Sequence, residues 1–393
     1  MKDTNGPSPA LRRILTFWPL MFYGLGVIVG AGIYVSLGEV IGLAGSAAPT
    51  SFVIAGVCAA MTGLAYADLS GRFPEAAGAA AYARHAFGDK TAIAVGGFTT
   101  IAAAVSAASI ARGAVTYIDD LVPLPATLLV ALLVIAFGVI AIWGVRQSVA
   151  IAAVIGALEI LGLLGAFSMG VTRAGDTWPS LVPIDTAGWH NAMAGAFVAF
   201  FAFVGFEALG NMSEEVRDAK RTVPRAILAS VAVSMVIYTA VSASAVMGGA
   251  GAENSLGSLF SGRWTTIFTF VASLCVANGA LVQITMLSRL FYGMAANGEL
   301  PAFLARINEG TGTPVHATAL ATSIILITSV SLTFKSLIVI ANLLTLMIFI
   351  VVNLALLRVR RMHEDPEDVF TAPPWAPVLG ILLSVLMLAS YFW

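Results

Sequence analysis

Long apolar runs separated by short polar connections set the pattern of the chain. Runs of about 20 apolar residues are the length that a helix needs to cross a bilayer. They fall at 16–40, 46–69, 91–117, 123–144, 148–171, 191–211, 225–249, 264–293, 316–333, 336–357 and 375–393. The pattern predicts an all-α polytopic membrane protein with eleven spanning helices. Pro49 and Pro224 fall where a first helical turn tolerates proline. The segment after Gly88 is rich in Ala and Ser, which suits close helix packing in a membrane.

Two of the runs are interrupted. The first reads Phe22-Tyr-Gly-Leu-Gly-Val-Ile-Val-Gly-Ala-Gly-Ile-Tyr34, and Gly30-Ala31-Gly32 weakens the helix at its middle. Loose backbone at that depth is tolerated where it is buried in protein or lines a water-filled cavity. The sixth run reads Ala196-Phe-Val-Ala-Phe-Phe-Ala-Phe-Val-Gly-Phe-Glu-Ala-Leu-Gly210, with Gly205 and the carboxylate of Glu207 inside it. A carboxylate at a helix centre costs about 2.5–3.5 kcal/mol on insertion scales, so a second interruption is expected here. The starts of the two lie five spans apart, an odd number, so repeats headed by them run in opposite directions. Glycine-interrupted segments at matching positions point to an inverted-repeat transporter. The expected organisation is one transmembrane domain: a core of 16–357 in two inverted five-helix repeats, 16–171 and 191–357, with an accessory helix at 375–393. The competing reading of Gly26 and Gly30 is a small-xxx-small face that lets helices pack.

Composition agrees with a membrane chain. Of the 393 residues, 59% are hydrophobic and 10% charged, against roughly 25% charged in soluble domains. The net charge of −1 offers no basic surface to nucleic acid. Cys58 and Cys275 lie inside apolar runs and read as small core residues. Lys2, Arg12 and Arg13 precede a run longer than a signal-peptide core, so no cleavable leader is expected. With the amino terminus in the cytoplasm, 16 of the 20 Lys and Arg fall inside and 4 outside: Arg112, Arg173, Arg263 and Lys335. The positive-inside rule then places the amino terminus inside and the carboxyl terminus outside the cytoplasmic membrane. The outer connection from Thr172 to Trp189 has room for a short interfacial helix.

The residues around the interruptions resemble those of a known family. Val29-Gly-Ala-Gly-Ile-Tyr34 resembles the first-helix signature of the amino acid–polyamine–organocation permeases, and Phe200-Phe-Ala-Phe-Val-Gly-Phe-Glu207 their sixth helix. More specific are Ser213-Glu-Glu-Val-Arg-Asp-Ala-Lys-Arg-Thr-Val-Pro-Arg-Ala-Ile227 and Ser288-Arg-Leu-Phe-Tyr-Gly-Met-Ala-Ala-Asn-Gly-Glu-Leu-Pro301, the latter continuing to Gly312-Thr-Pro-Val315. Phe73-Pro-Glu-Ala-Ala-Gly78 and His85-Ala-Phe-Gly88 are similar to the family's loop after the second helix. The resemblance implies the five-plus-five LeuT-type fold, and a secondary transporter that moves an amino acid by alternating access. Many members have twelve spans where eleven are expected here.

The chemistry of the interruptions fits such a substrate. A half-helix amino terminus presents unpaired N–H groups and about half a positive charge, which stabilise an anion. Gly30, Ala31 and Gly32 would offer amides to a carboxylate. Carbonyls near Val29 and Ile33, and from Ala202 through Val204 to Gly205, would accept from an ammonium group. Phe201 is the gate that the resemblance implies, with packing or lipid contact as the alternative for it and for Phe200, Phe203 and Phe206. Glu159, midway along the fifth span, stands where many relatives carry lysine. It and Glu207 are the candidate coupling residues, since an intramembrane acid that can protonate is functional by default. Their structural alternative is a hydrogen bond to a neighbouring helix. A co-transported proton is expected, with sodium as the alternative ion, and no resident cofactor or metal. The four histidines show no metal-ligand spacing. The expected partners are a small-molecule substrate, an amino acid or amine, and the lipid bilayer. Exchange of amino acids, polyamines or amines is the alternative within transport, and an ion channel the alternative outside it. No nucleophile–base pair points to an enzyme. Asp68 is expected to pair locally with Arg72 at i+4, and Asn278 and Gln283 are candidates to line the pathway.

Overall fold

The computed structural model describes residues 15–75, 78–118, 122–143, 145–175, 180–251, 256–296, 298–308, 310–364 and 369–392. Lys2, Arg12, Arg13, Asp119 and Asp120 lie outside the described residues. The helices are α1 (Phe17–Val29), α2 (Gly32–Ala44), α3 (Ala48–Arg72), α4 (Gly78–Phe87), α5 (Asp89–Ile118), α6 (Ala126–Trp143) and α7 (Val145–Arg173). There follow α8 (Thr186–Ala199), α9 (Ala219–Met247), α10 (Arg263–Ala296), α11 (Val315–Ser331), α12 (Phe334–Met362) and α13 (Ala376–Ser390). The protein is all-α and polytopic. Among the described residues seven stretches are long and apolar enough to cross a bilayer, and the first of them runs from Phe17 to Arg72. It turns back at a short 3-10 turn, Gly45–Ala47, and so makes two crossings. With α7, α11 and α13 added, the helices match the eleven predicted runs.

Some local expectations are corrected. The loop after α3 contains a helix of its own, α4. Pro224 lies inside α9, because that helix begins at Ala219, five residues before the proline. Proline has no N–H for the carbonyl one turn back, and that carbonyl, of Lys220, lies against Gly71 of α3. The connection before α8 has no helix among its described residues, and α8 begins at Thr186, capped by the Asp185 carboxylate, which accepts from Gly188 N–H.

Small residues bring the helices close together. A Cβ at Gly170 of α7 would lie 2.4 Å from the Ser244 carbonyl oxygen of α9, and one at Gly138 of α6 would lie 2.5 Å from Thr322 Cγ2 of α11. In a membrane such approach replaces the hydrophobic drive that packs helices in water. Cys58 and Cys275 are free thiols in this core, with Cys58 Sγ 3.8 Å from Ser384 Oγ of α13. Arg112 of α5 donates from Nε to the Ser329 carbonyl at 2.6 Å. It thereby caps the end of α11, whose last carbonyls have no partner within the helix.

Asp68 is more than a local ion pair. It is wholly buried; Arg72 Nε lies 2.5 Å from Oδ1, and Arg360 of α12 bonds Oδ2. The Ala372 N–H, just before α13, also donates to Oδ2 at 2.8 Å. One carboxylate thus joins α3, α12 and the approach to α13. Removing one member of a buried ion pair costs about 3–5 kcal/mol, because the other charge is stranded. Asp68→Ala is therefore expected to lower the thermal midpoint of the detergent-solubilised protein steeply. An unchanged midpoint would show that the cluster contributes little.

Candidate functional site

The two interrupted helices meet at their breaks. In the first, Gly30 (φ −44°, ψ −88°) and Ala31 (φ −90°, ψ −25°) separate α1 from α2, and no side chain caps the amino end of α2. In the second, α8 tightens into a 3-10 turn at Phe200–Phe203. Val204 is then extended, Gly205 takes φ 129°, and a 3-10 segment runs from Phe206 to Glu215. The positive φ suits a residue without Cβ. α2 packs on α8, and α1 on the 3-10 segment, so the two broken helices run antiparallel. Contact between the breaks is main chain on main chain: a Cβ at Gly32 would lie 2.5 Å from Ala202 Cα.

Breaking a helix frees carbonyls that then need donors. The Tyr238 hydroxyl of α9 lies 2.6 Å from the Ile28 carbonyl and 3.0 Å from that of Ala202. One buried hydroxyl proton thus serves a carbonyl from either broken helix. Its ring is held edge-on by Phe52 and Phe203. The Gly205 N–H, turned out of the helix, donates to Glu207 Oε2 at 2.9 Å.

Glu159 of α7 reaches the first break. Its carboxylate faces Gly30, where a Cβ would lie 3.5 Å from Oε2. Asn278 of α10 donates to Oε1 at 3.3 Å, while Oε2 has no hydrogen-bond partner among the described residues. The backbone of Glu159 is pinned as well: the Tyr34 hydroxyl donates to its carbonyl at 2.8 Å, and the Tyr117 hydroxyl donates to the Tyr34 carbonyl at 2.5 Å. A chain of tyrosines thus ties α7 to α2 and α5 beside the carboxylate.

A cavity lies between the breaks and the helices α5 and α10. Ala31, Gly32, Phe201 and Val204 of the predicted set line it, with Asn278 and Gln283 opposite. Val29 faces an apolar groove against α7 and α9, while Ile33 and Ala202 are buried in packing. Gly30 touches Glu159, and Gly205 and Glu207 line a second cavity on the side where α4 lies. The two cavities share Val27, Ser106, Val204 and Gln283. Sequence reasoning missed Tyr238 and Ser106. A lone tyrosine within the apolar α9 was the available signal for the first, whereas Ser106, one of two serines three residues apart in α5, gave none for the second.

Known proteins similar to this chain are transporters. The chain is 27% identical over 424 residues to cationic amino acid transporter 1 of Arabidopsis thaliana, covering all of this chain and 70% of the relative. It is 26% identical over 409 residues to the methylthioribose transporter of Bacillus subtilis, covering 97% and 88%. It is 29% identical over 347 residues to the chloroplastic cationic amino acid transporter 9 of Arabidopsis thaliana, covering 78% of this chain and 59% of that protein. These relatives are transporters rather than enzymes. The model of the amino acid permease family matches residues 15–393, from the first described residue through both breaks and α13, and the chain belongs to that family.

Proposed function

We propose that the protein is a secondary transporter that carries an amino acid across the cytoplasmic membrane by alternating access, driven by protons. The observation that carries this reading is the meeting of two helix breaks at a cavity, with the Glu159 carboxylate against one of them. Uncapped amides at the start of α2 suit a carboxylate, and carbonyls freed at the breaks suit an ammonium group. Both groups together define an α-amino acid. The two breaks head the inverted repeats 16–171 and 191–357 of a LeuT-type fold, with the cavity between them. Phe201, in the wall just before the second break, closes over the substrate on the side away from α4. The lopsided placement of Lys and Arg puts the α4 side in the cytoplasm.

Glu159 carries the proton in this reading. Its Oε2 has no hydrogen-bond partner among the described residues and lies beside Gly30, so gain or loss of a proton there changes the charge at the break itself. Relatives named as cationic amino acid transporters support an amino acid as cargo. Uptake into proteoliposomes tests the reading, with a panel of labelled amino acids and amines and imposed pH, sodium or opposing-substrate gradients. Saturable, pH-driven accumulation with counterflow is expected. Conduction without counterflow would indicate a channel, and accumulation driven only by an opposing substrate would indicate an exchanger.

A further inference from the structure

The stretch leading into α9 carries charge that the transport cavity does not use. Arg217, Lys220, Arg221 and Arg225 fall within nine residues, with Asp218 the one acid among them. All four cations are exposed. Lys220 and Arg221 stand in the first turn of α9, which holds no acid. A helix start is electropositive and adds to their pull on an anion.

Two features set the depth of these cations. The Arg217 N–H donates to the Leu15 carbonyl at 2.8 Å, and the Ser230 hydroxyl to the Met21 carbonyl at 3.2 Å. Helices α1 and α9 therefore enter the bilayer side by side. Trp18 of α1, 61% exposed, lies between those two bonds, and tryptophan is enriched at the headgroup level of a bilayer. On α9 itself, Arg221, Arg225, Ala232 and Val236 are exposed. At about 100° per residue they lie within about 60° of one another. The face that begins with arginines thus continues as a face that lipid covers.

That face leads to the apolar groove between α7 and α9. The groove has a volume of about 190 Å³ and no polar side chain in its walls, which include Val29, Phe167, Val236 and Ala240. Phe167 and Val236 are exposed, so it opens to the bilayer. From Arg225 to Val236 the helix runs on beyond Pro224 for about 16 Å. One leaflet, headgroup included, is about 20 Å deep. A lipid held by its headgroup at Arg225 therefore ends its chain in this groove.

We propose that Arg221 and Arg225, with Lys220 beside them, bind the headgroup of an anionic phospholipid in the leaflet where α9 begins, and that one of its acyl chains fills the groove at Val29. The phosphate takes charge-assisted bonds from the guanidinium groups. A groove without polar side chains at this depth accepts a hydrocarbon chain and rejects a polar occupant. Val29 is the last residue of α1 before the first break, and Ile160, also in the wall, follows Glu159. The chain thus packs against the first break from the α7 and α9 side, while α5 and α10 wall the cavity.

The assignment stands independently of the transport reading, because its test reads binding. Delipidated protein is titrated with dioleoylphosphatidylglycerol or dioleoylphosphatidylcholine, and the first bound lipid is followed by native mass spectrometry. The wild type is expected to hold phosphatidylglycerol at least about tenfold more tightly. Arg221→Gln/Arg225→Gln should reduce that preference to within about twofold, whereas Arg289→Gln/Arg306→Gln, which removes two exposed arginines elsewhere, should keep it. Equal affinity for the two lipids in the wild type, or equal losses in the two double variants, would overturn the assignment. Glycerophosphoglycerol, a headgroup without chains, should not displace the lipid at equal concentration. Displacement would reduce the site to one for phosphate and refute the place of the chain. Should a variant fail to fold, phosphatidylglycerol with a diazirine at its chain end decides in the wild type. Adducts are expected at Phe167, Val236 or Ala240, and adducts spread evenly over the lipid-facing helices would refute the site.

Discussion

Replacing Gly32 with alanine is expected to abolish uptake. The new Cβ would stand 2.5 Å from Ala202 Cα and 2.9 Å from its carbonyl oxygen. Both are main-chain atoms, so neither can swing aside as a side chain would. Relief requires the two broken helices to part, and Ala202 is also an acceptor for the Tyr238 hydroxyl. Overpacking of this kind costs about 1–3 kcal/mol in stability. The effect on transport is expected to be larger, about 100-fold or more, because the displaced backbone is what positions the substrate. Gly97→Ala in α5 is the matched control, since a Cβ there meets nothing within 4 Å, and it should retain normal uptake. Uptake and size-exclusion profiles of the two variants, measured side by side, check this. Normal uptake by Gly32→Ala would mean that the breaks separate freely and that their contact is not needed.

Glu159→Gln should uncouple transport from the proton gradient without closing the route. Glutamine has the same shape and keeps an oxygen for Asn278, but it has no proton to release. Accumulation driven by an imposed pH gradient is expected to fall at least about tenfold, whereas counterflow at equal pH stays within about threefold. The contrast between the two assays matters, because a merely structural glutamate would depress both together. Persistent pH-driven accumulation in the variant would remove Glu159 from the coupling role. Accumulation by the wild type on a sodium gradient alone would put that ion in place of the proton.

Much of the fold was legible because membrane helices announce themselves by length and polarity. Both breaks were legible for a further reason: Gly30-Ala31-Gly32 in the first run, and Gly205 with the Glu207 carboxylate in the sixth, weaken the helix inside the run. What escaped the sequence was where the chain returns to. Asp68 pointed to Arg72 by simple helical spacing, yet Arg360 and Ala372 lie about 300 positions away, and only the folded path brings them in. Tyr238 escaped for a similar reason. Its acceptors are main-chain carbonyls, which every residue carries, and only tertiary geometry shows which of them the breaks have freed. The conformation of 206–215 was hidden too. Its composition permits an α-helix, and the 3-10 form arises with Gly205 turned to positive φ against Val27.

The Asp68 cluster has a consequence for how the chain is made. Its distant partners, Arg360 and Ala372, follow it by about 300 residues and leave the ribosome long after α3 has entered the bilayer. While those residues are being made, the carboxylate must sit in a half-built bundle with a single companion. Arg72, one turn away, is the residue that allows this, because it travels into the membrane on the same helix and can neutralise Asp68 from the start. When α12 arrives, Arg360 joins a pair that has been waiting for it. The cluster then serves as a late checkpoint of assembly: a chain in which α12 and α13 have not docked still has a buried acid short of two of its partners.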